Sequence, residues 1–298
     1  KKILQEERRR LKPKPGLTVE QIEREAGRLK QHLVTFSVDK AANNCCIECI
    51  HWYRHTCLMR LLSPAFSDLQ CSRADTIRNQ EELVETHTPW EADAEFKPAI
   101  LFCTAKVHKW DQDPLAYRYV TNGTSAHSNP ISKHCTLILT AVAREVRRHC
   151  ISLGKELNAK LWWPVDSLDI VPFNVDRSHR PNRHPCAFDL ERCFESIPLL
   201  PEGNGHSLTE HLAFFLEVGM SDHDIVSCTT DWKGQPTLAE LNLPGGTLCY
   251  TKQDIMRLVL DLLSMAVCTV GERARRQTLG IPMGFPSSVI FLLIYMFK

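Results

Sequence analysis

The run CAFDLERCFESIP, Cys186 to Pro198, sets one acid among apolar neighbours. Side chains alternate along a strand, so a β-run here puts Cys186, Phe188 and Leu190 on one face and Asp189 with Ala187 on the other. An ionised carboxylate inside a core is costly unless something compensates it. Two compensations fit: a salt bridge to a nearby arginine, or a divalent ion. Mg²⁺ takes carboxylates together with substrate phosphates, and a strand end is rigid enough to hold it. A single aspartate leaves both open. Phe194, five positions on, stands over the same place as a flat ring, and Ile197-Pro198 ends the element.

The rest of the chain alternates helical stripes with short β-type runs. Val19, Ile22, Ala26, Leu29 and Leu33 share one helical stripe, and Thr18 with Gln21 makes a capping box, so a helix is expected from Thr18 to Leu33. TFSVDK reads as a strand, and CCIECIHWYRH as a second strand running into a helix. ILFCTAKVHK and AYRYVTNGT flank the turn-rich WDQDP, so they are expected to pair as a hairpin carrying Lys106, Lys109 and Arg118 on one ribbon. Residues 131–160 read as helix, with Leu137, Val142 and Val146 inward and Arg144, Arg147 and Arg148 outward. Pro164 to Pro185 is loop-like, and the CAFDL strand follows. Ser207 with Glu210 caps a helix whose apolar stripe is Leu208, Leu212, Phe215 and Leu216, and another helix is expected from Gln253 to Val267.

Length and charge add bounds. At 298 residues the chain exceeds what one modest core serves, so one large α/β unit or two lobes are expected. A net charge of +1 gives no global field for a polyanion. From Lys1 to Lys14 seven basic and two acidic side chains make a local tail that suits phosphates, a solvated helix face or a linker equally. The 13 cysteines are odd in number, show no framework spacing and follow no signal peptide, which implies a reducing compartment. VIFLLIYMF, Val289 to Phe297, is about half a membrane span and reads as a core helix. Lys1 in place of Met, and an apolar run without a stop signal before Lys298, lead us to expect a piece of a longer chain.

Two further constellations bear on chemistry. In QTLGIPMG, Gly280 and Gly284 surround Pro282, and such glycines let backbone approach a ligand or template strand closely; a plain tight turn before a core helix reads as well. Cys46 and Cys49 have C-x-x-C spacing and His51 and His55 have H-x₃-H spacing, with Cys45 and Cys57 close by. A zinc finger separates its pairs by about a dozen residues, whereas only Ile50 lies between Cys49 and His51. Buried strand thiols with histidines on a helix surface are therefore the preferred reading, and a zinc-stabilised interaction module the alternative. His206 and His211 lack a paired ligand set and read as surface residues. There is no P-loop and no Ser-His-Asp order.

FDLERCFESIP and QTLGIPMG, preceded by AKVHK and YRYV, resemble the palm and fingers motifs of reverse transcriptases. The nearest resemblance is to the Penelope-like retroelement group, relatives of telomerase. SVDKAANNCCIECIHWY resembles that group's DKAANN segment, with Cys49 and Tyr53 at its Cys and Tyr, and TAKVHKW…RYVTNGTSAHSNPISK resembles its PKLHK…RFI stretch with the trailing Ser-Lys. The likeness covers residues 36–298, and four motifs in the right order make it specific.

The resemblance implies an α+β right-hand polymerase: residues 1–35 a basic helical extension, 36–180 the fingers and a connecting helix, 181–298 a partial palm. It implies RNA-directed DNA synthesis for a mobile element, with template RNA, primer DNA and deoxynucleoside triphosphates as partners, no membrane, and a nuclear location. Asp189 would be the first metal carboxylate for Mg²⁺ or Mn²⁺, with the carbonyl of Leu190 a second ligand. Phe194 would be the steric gate against a ribose 2′-OH. Arg118, with Lys106, would hold the triphosphate, while Met283 and Gly284 lie under the nascent base pair. Lys109, Gly280 and Pro282 would touch nucleic acid. Departures are Ala105 at the group's Pro, and Phe285-Pro286-Ser287-Ser288 at a smaller Thr-Asn-type sequence. No YxDD-type sequence occurs, so this chain alone is expected not to polymerise. A non-catalytic nucleic-acid-binding remnant is the alternative.

Overall fold

The computed structural model describes residues 16, 18–91, 94–107, 116–162, 164, 193–201, 206–230, 236–242 and 246–297. Among them eight helices and ten strands make a mixed α+β protein. It forms two compact units, Lys1–Leu58 with Cys103–Arg118 and Met59–Phe102 with Tyr119–Lys298.

The first unit begins with α1 (Val19–Leu29), whose capping box is made as the sequence requires. Thr18 Oγ1 accepts from the Gln21 amide at 3.2 Å, and Gln21 Oε1 accepts from the Thr18 amide at 2.9 Å. The apolar stripe is not core: Val19, Ile22 and Leu29 are exposed, and no residue of α1 is buried. Leu33 falls outside the helix. It opens β1 (Leu33–Val38), where the β-branched run Val-Thr with Phe36 favours extended backbone. β1 pairs antiparallel with β2 (Ala41–Cys49), from Leu33↔Cys49 to Ser37↔Cys45, and Lys40 makes the turn at φ 60°. β2 passes straight into α2 (Ile50–Leu61). Val38 pairs in parallel with Ala105 of β4 (Ile100–Ala105), and the Asp39 amide donates to Ala105 O at 2.8 Å. Tyr53 of α2 seals this sheet. Its hydroxyl accepts from the Cys103 amide at 3.1 Å, and its ring lies 4.8 Å from that of Phe36.

β4 pairs with β5 (Tyr117–Asn122), as the flanking of WDQDP predicts. Both strands run from one unit into the other.

The second unit is organised by α4 (Ser128–Glu156), which buries Ile131, Cys135, Ile138, Leu139, Val142 and Val146 at helical spacing. Leu137 is half-buried against the same core, and Arg144, Arg147 and Arg148 are exposed, although Arg144 Nη2 also donates to Ala239 O at 2.7 Å. Against α4 pack α6 (Leu208–Gly219), α7 (Lys252–Ser264), α8 (Ser288–Phe297) and a sheet ordered β7 (Pro236–Leu241), β6 (Val226–Thr230), β8 (Leu248–Tyr250). The Ser207 capping box forms, and Leu208, Leu212, Phe215 and Leu216 are all buried. α7 stops at Ser264, short of the expected Val267. Val267-Cys268-Thr269-Val270 is β-prone and becomes β9 (Val267–Val270), hairpinned to β10 (Arg273–Gln277). β10 also pairs with β3 (Phe66–Asp68), and Ile100 of β4 pairs in parallel with Thr269. α8 buries Ile290, Phe291 and Ile294, as expected of a core helix. The remaining helices are α3 (Arg73–His87) and the single turn α5 (Cys193–Ser196). No helix among the described residues is long and apolar enough to cross a membrane.

Candidate functional site

Three stretches far apart in sequence meet backbone to backbone in the second unit. The Ile281 amide donates to Phe194 O at 2.7 Å, the Gly280 amide donates to Ile197 O at 2.8 Å, and Pro198 bridges Leu279. Thr121 of β5 donates its amide to Met283 O at 3.3 Å. Each motif glycine is required by one of these approaches. Gly280 sits at φ 87°, and a Cβ there would lie 2.8 Å from Phe194 O. At Gly284 an added Cβ would lie 1.8 Å from Thr121 O. The GIPMG turn is thus clamped between the end of β5 and α5.

Side chains fasten the same turn from behind. Ser288 Oγ donates to Pro282 O at 2.5 Å and also reaches Phe285 O at 2.8 Å. Ser132 of α4 accepts from the Ser287 amide at 3.0 Å, and the two serine hydroxyls lie 2.8 Å apart. The Phe285-Pro286-Ser287-Ser288 run therefore has a structural role: Ser287 ties the turn to α4, and Ser288 ties the turn to itself. Gln277 Nε2 donates to Leu279 O at 3.1 Å and Gly280 O at 2.8 Å.

α5 is held by charge. Arg60 Nη2 lies 3.4 Å from Glu195 Oε2, with both side chains more than four-fifths buried. The guanidinium also sits 5.5 Å from the Tyr119 ring centroid and 5.8 Å from that of Phe66, within cation–π range. Sequence reasoning missed Arg60. Its only signal was a lone cation inside the otherwise apolar CLMRLL run.

The structure brings Phe194, Gly280, Pro282, Met283 and Gly284 into one place. Phe194 is half-buried against the main core, Gly280 and Pro282 are buried, Met283 is half-buried and Gly284 is exposed. The outward face of this turn is therefore Gly284 with part of Met283.

In the first unit, Arg118 Nη1 lies 3.2 Å from Asp39 Oδ1, and Asp39 is almost wholly buried while Arg118 remains 40% exposed. Asp39 Oδ2 has no hydrogen-bond partner among the described residues. The compensated acid seen here is thus Asp39 of the SVDK run, which hydrophobic patterning leaves unmarked. Lys106 is half-buried, and its amide donates to Ala116 O at 2.8 Å, continuing the β4–β5 pairing. Beside it Tyr117 donates to Glu48 Oε1 at 2.7 Å, and burial raises the Tyr117 pKa.

Asp189, Leu190 and Lys109 lie outside the described residues, as do the CAFDL strand and most of the loop before it. Among the described residues no three His, Cys, Asp or Glu side chains converge on a metal position. Cys46 and Cys49 are three apart on β2, so they project from opposite faces, Cys46 half-buried and Cys49 exposed with Cys45. The expectation of buried strand thiols holds for neither Cys45 nor Cys49, whereas Cys57 is buried on α2, with its Sγ 3.7 Å from that of Cys103. His51 and His55 are exposed on the helix, as expected. His206 is exposed, but His211 is buried, its Nδ1 2.7 Å from Tyr295 O and its ring stacked on that of Tyr295 at 4.6 Å. The apolar α6 stripe carries it inward.

Neither a family model, nor a curated protein, nor a solved structure matches the chain.

Proposed function

We propose that the chain is the fingers and part of the palm of an RNA-directed DNA polymerase with right-hand architecture, of the kind found in Penelope-like mobile elements, working on nuclear DNA. The observation that carries this reading is the clamp just described. Segments around Thr121, Phe194 and Gly280–Gly284 carry three of the motifs of the resemblance, and they are in backbone contact although the sequence separates them widely. Motif order alone gives no reason for that contact, whereas a nucleotide site assembled from them does.

In this reading Met283 and Gly284 present a flat, uncharged surface to the nascent base pair, and close backbone packing at Gly284 fixes its height. The Phe194 ring, positioned by the Arg60–Glu195 pair acting on α5, excludes a ribose 2′-OH. The resemblance assigns phosphate contacts to Arg118 and Lys106, and within the first unit, taken by itself, the Arg118 fork is oriented by Asp39. Mg²⁺ or Mn²⁺ would neutralise developing phosphate charge. The donors assigned to the ion, Asp189 and the Leu190 carbonyl, do not complete a six-coordinate site, and no adjacent aspartates occur in the chain. That same shortage favours a second reading, a non-catalytic module that binds template and primer without extending them.

Two assays on the full 298-residue chain separate the outcomes. Fluorescence anisotropy with a labelled RNA–DNA template-primer is expected to show binding that weakens steeply with salt, as counterion release requires. Primer extension with deoxynucleotides and Mg²⁺ is expected to show none. An absence of duplex binding at low salt refutes both readings, and extension by this chain overturns the inference from the missing aspartates.

A further inference from the structure

A second surface carries recognition chemistry that the polymerase reading does not use. A cleft of 230 Å³ lies in the second unit, lined by the residues before α3, one stripe of α3, the end of α7 and the paired strands β9 and β10. Its polar lining includes Gln70, Asn79, Gln80, Ser264 and Arg276, and no Asp or Glu lines it.

Strand alternation explains why Arg276 points there. On β10, Arg275 turns to the opposite face, where its Nε lies 2.9 Å from Asp68 Oδ1 and its Nη1 donates to Leu61 O at 3.1 Å. Arg276 shares the face of Ala274 and is half-buried; its backbone is paired in the sheet, while its guanidinium makes neither ion pair nor side-chain hydrogen bond among the described residues. A guanidinium drawn partly out of water without a counter-charge is disfavoured. Primary amides beside it supply further N–H donors, and a fork of N–H groups flanked by amides suits an oxyanion. Gln80 is partly committed, donating to Met265 O at 3.4 Å, which leaves Gln70 and Asn79 at the exposed mouth.

We infer that this cleft binds a phosphate group, with Arg276 supplying the charge and Gln70 and Asn79 the flanking donors. A phosphodiester of a single strand and the monoester of a free nucleotide offer the same chemistry, so the test carries both. The inference extends the polymerase reading without depending on it.

The full chain is titrated at low salt with inorganic phosphate, with thymidine monophosphate and with a fluorescein-labelled oligothymidylate. Arg276→Gln is expected to weaken binding about tenfold, the effect of one charge-assisted contact. Gln70→Glu changes an exposed residue and puts a carboxylate at the mouth. It is expected to weaken binding similarly with an unchanged denaturation curve. Arg273→Gln, on the other face of β10, is the control and should bind as wild type. Weakening confined to the oligonucleotide identifies the strand backbone as the source, and weakening for the monoester as well identifies the free nucleotide. If both cleft variants bind all three probes as the wild type does, the inference is overturned. Loss of template-primer binding with phosphate binding retained would bring down the polymerase reading and leave this one standing.

Discussion

Gly284→Ala tests the clamp most directly. The added Cβ would stand 1.8 Å from Thr121 O and 2.9 Å from Thr121 C, both backbone atoms that no rotamer change can move away. Restoring van der Waals separation needs a shift of more than an ångström between β5 and the turn, which breaks the Thr121 to Met283 hydrogen bond. Overpacking of this kind costs about 1–3 kcal/mol and the lost bond about 1 more, so a destabilisation of roughly 2–4 kcal/mol is expected. Three other glycines separate the causes. Gly271 has φ 59° with nothing within 4 Å of an added Cβ, so its Ala variant reports backbone conformation alone, about 1 kcal/mol. Gly123 would place its Cβ 3.5 Å from Gly284 O, an ordinary contact, and its variant is expected to cost less than about 1 kcal/mol. Gly280 combines φ 87° with a 2.8 Å approach and is expected to match Gly284. Urea denaturation followed by circular dichroism reads all four. A Gly284→Ala variant no less stable than Gly123→Ala would mean that β5 and the turn are not in contact and that the three motif segments do not share a site.

The other expectations are shorter. Arg60→Ala removes the partner of a mostly buried carboxylate and two ring contacts, so a loss of about 2–4 kcal/mol is expected; a double-mutant cycle with Glu195→Gln giving no coupling would show that the pair does not hold α5. Arg118→Glu is expected to weaken template-primer binding most at low salt, and also to lower stability by about 1–2 kcal/mol because Asp39 then faces a like charge; binding unchanged across a salt series would tell against the ribbon's role. His134 is buried beside His87, and burial lowers its pKa to about 4. Because the folded value lies below the unfolded one, this stability is complete above pH 6.5 and is lost as pH falls through 4. Roughly 2 kcal/mol should disappear between pH 7 and 5. His134→Gln should flatten that slope, and an unchanged slope would assign the titration elsewhere.

How much of this was legible depended on what kind of signal each element carries. The capping boxes at Thr18 and Ser207 are local hydrogen-bond patterns, and both formed. The α6 and α8 stripes are local periodicities, and both are core. The α1 stripe is equally regular, yet exposed, because periodicity marks a face that can be buried and does not supply a surface to bury it. Val267 looked like the end of a helix because apolar continuity outweighed the β-branched run after it, and only pairing with β4 and β10 decides the matter. β6, β7 and β8, spaced by Asp, Gly and Pro, gave no readable alternation and were missed.

At the site the division is sharper. The glycines around Pro282 were readable as places of close approach, since few roles other than a tight turn or backbone contact favour Gly there. What approaches them was not readable, because Thr121 and Phe194 O act through main-chain atoms that every residue type shares. Arg60 and Asp39 illustrate the complementary failure. Each charge is defined by a partner more than seventy residues away, Glu195 and Arg118, and a single sequence contains no record of such pairing. The motifs are therefore legible where they constrain the backbone and silent where they depend on side-chain partners. For that reason the glycine series is the stronger test of the site, and the charge variants of what the site binds.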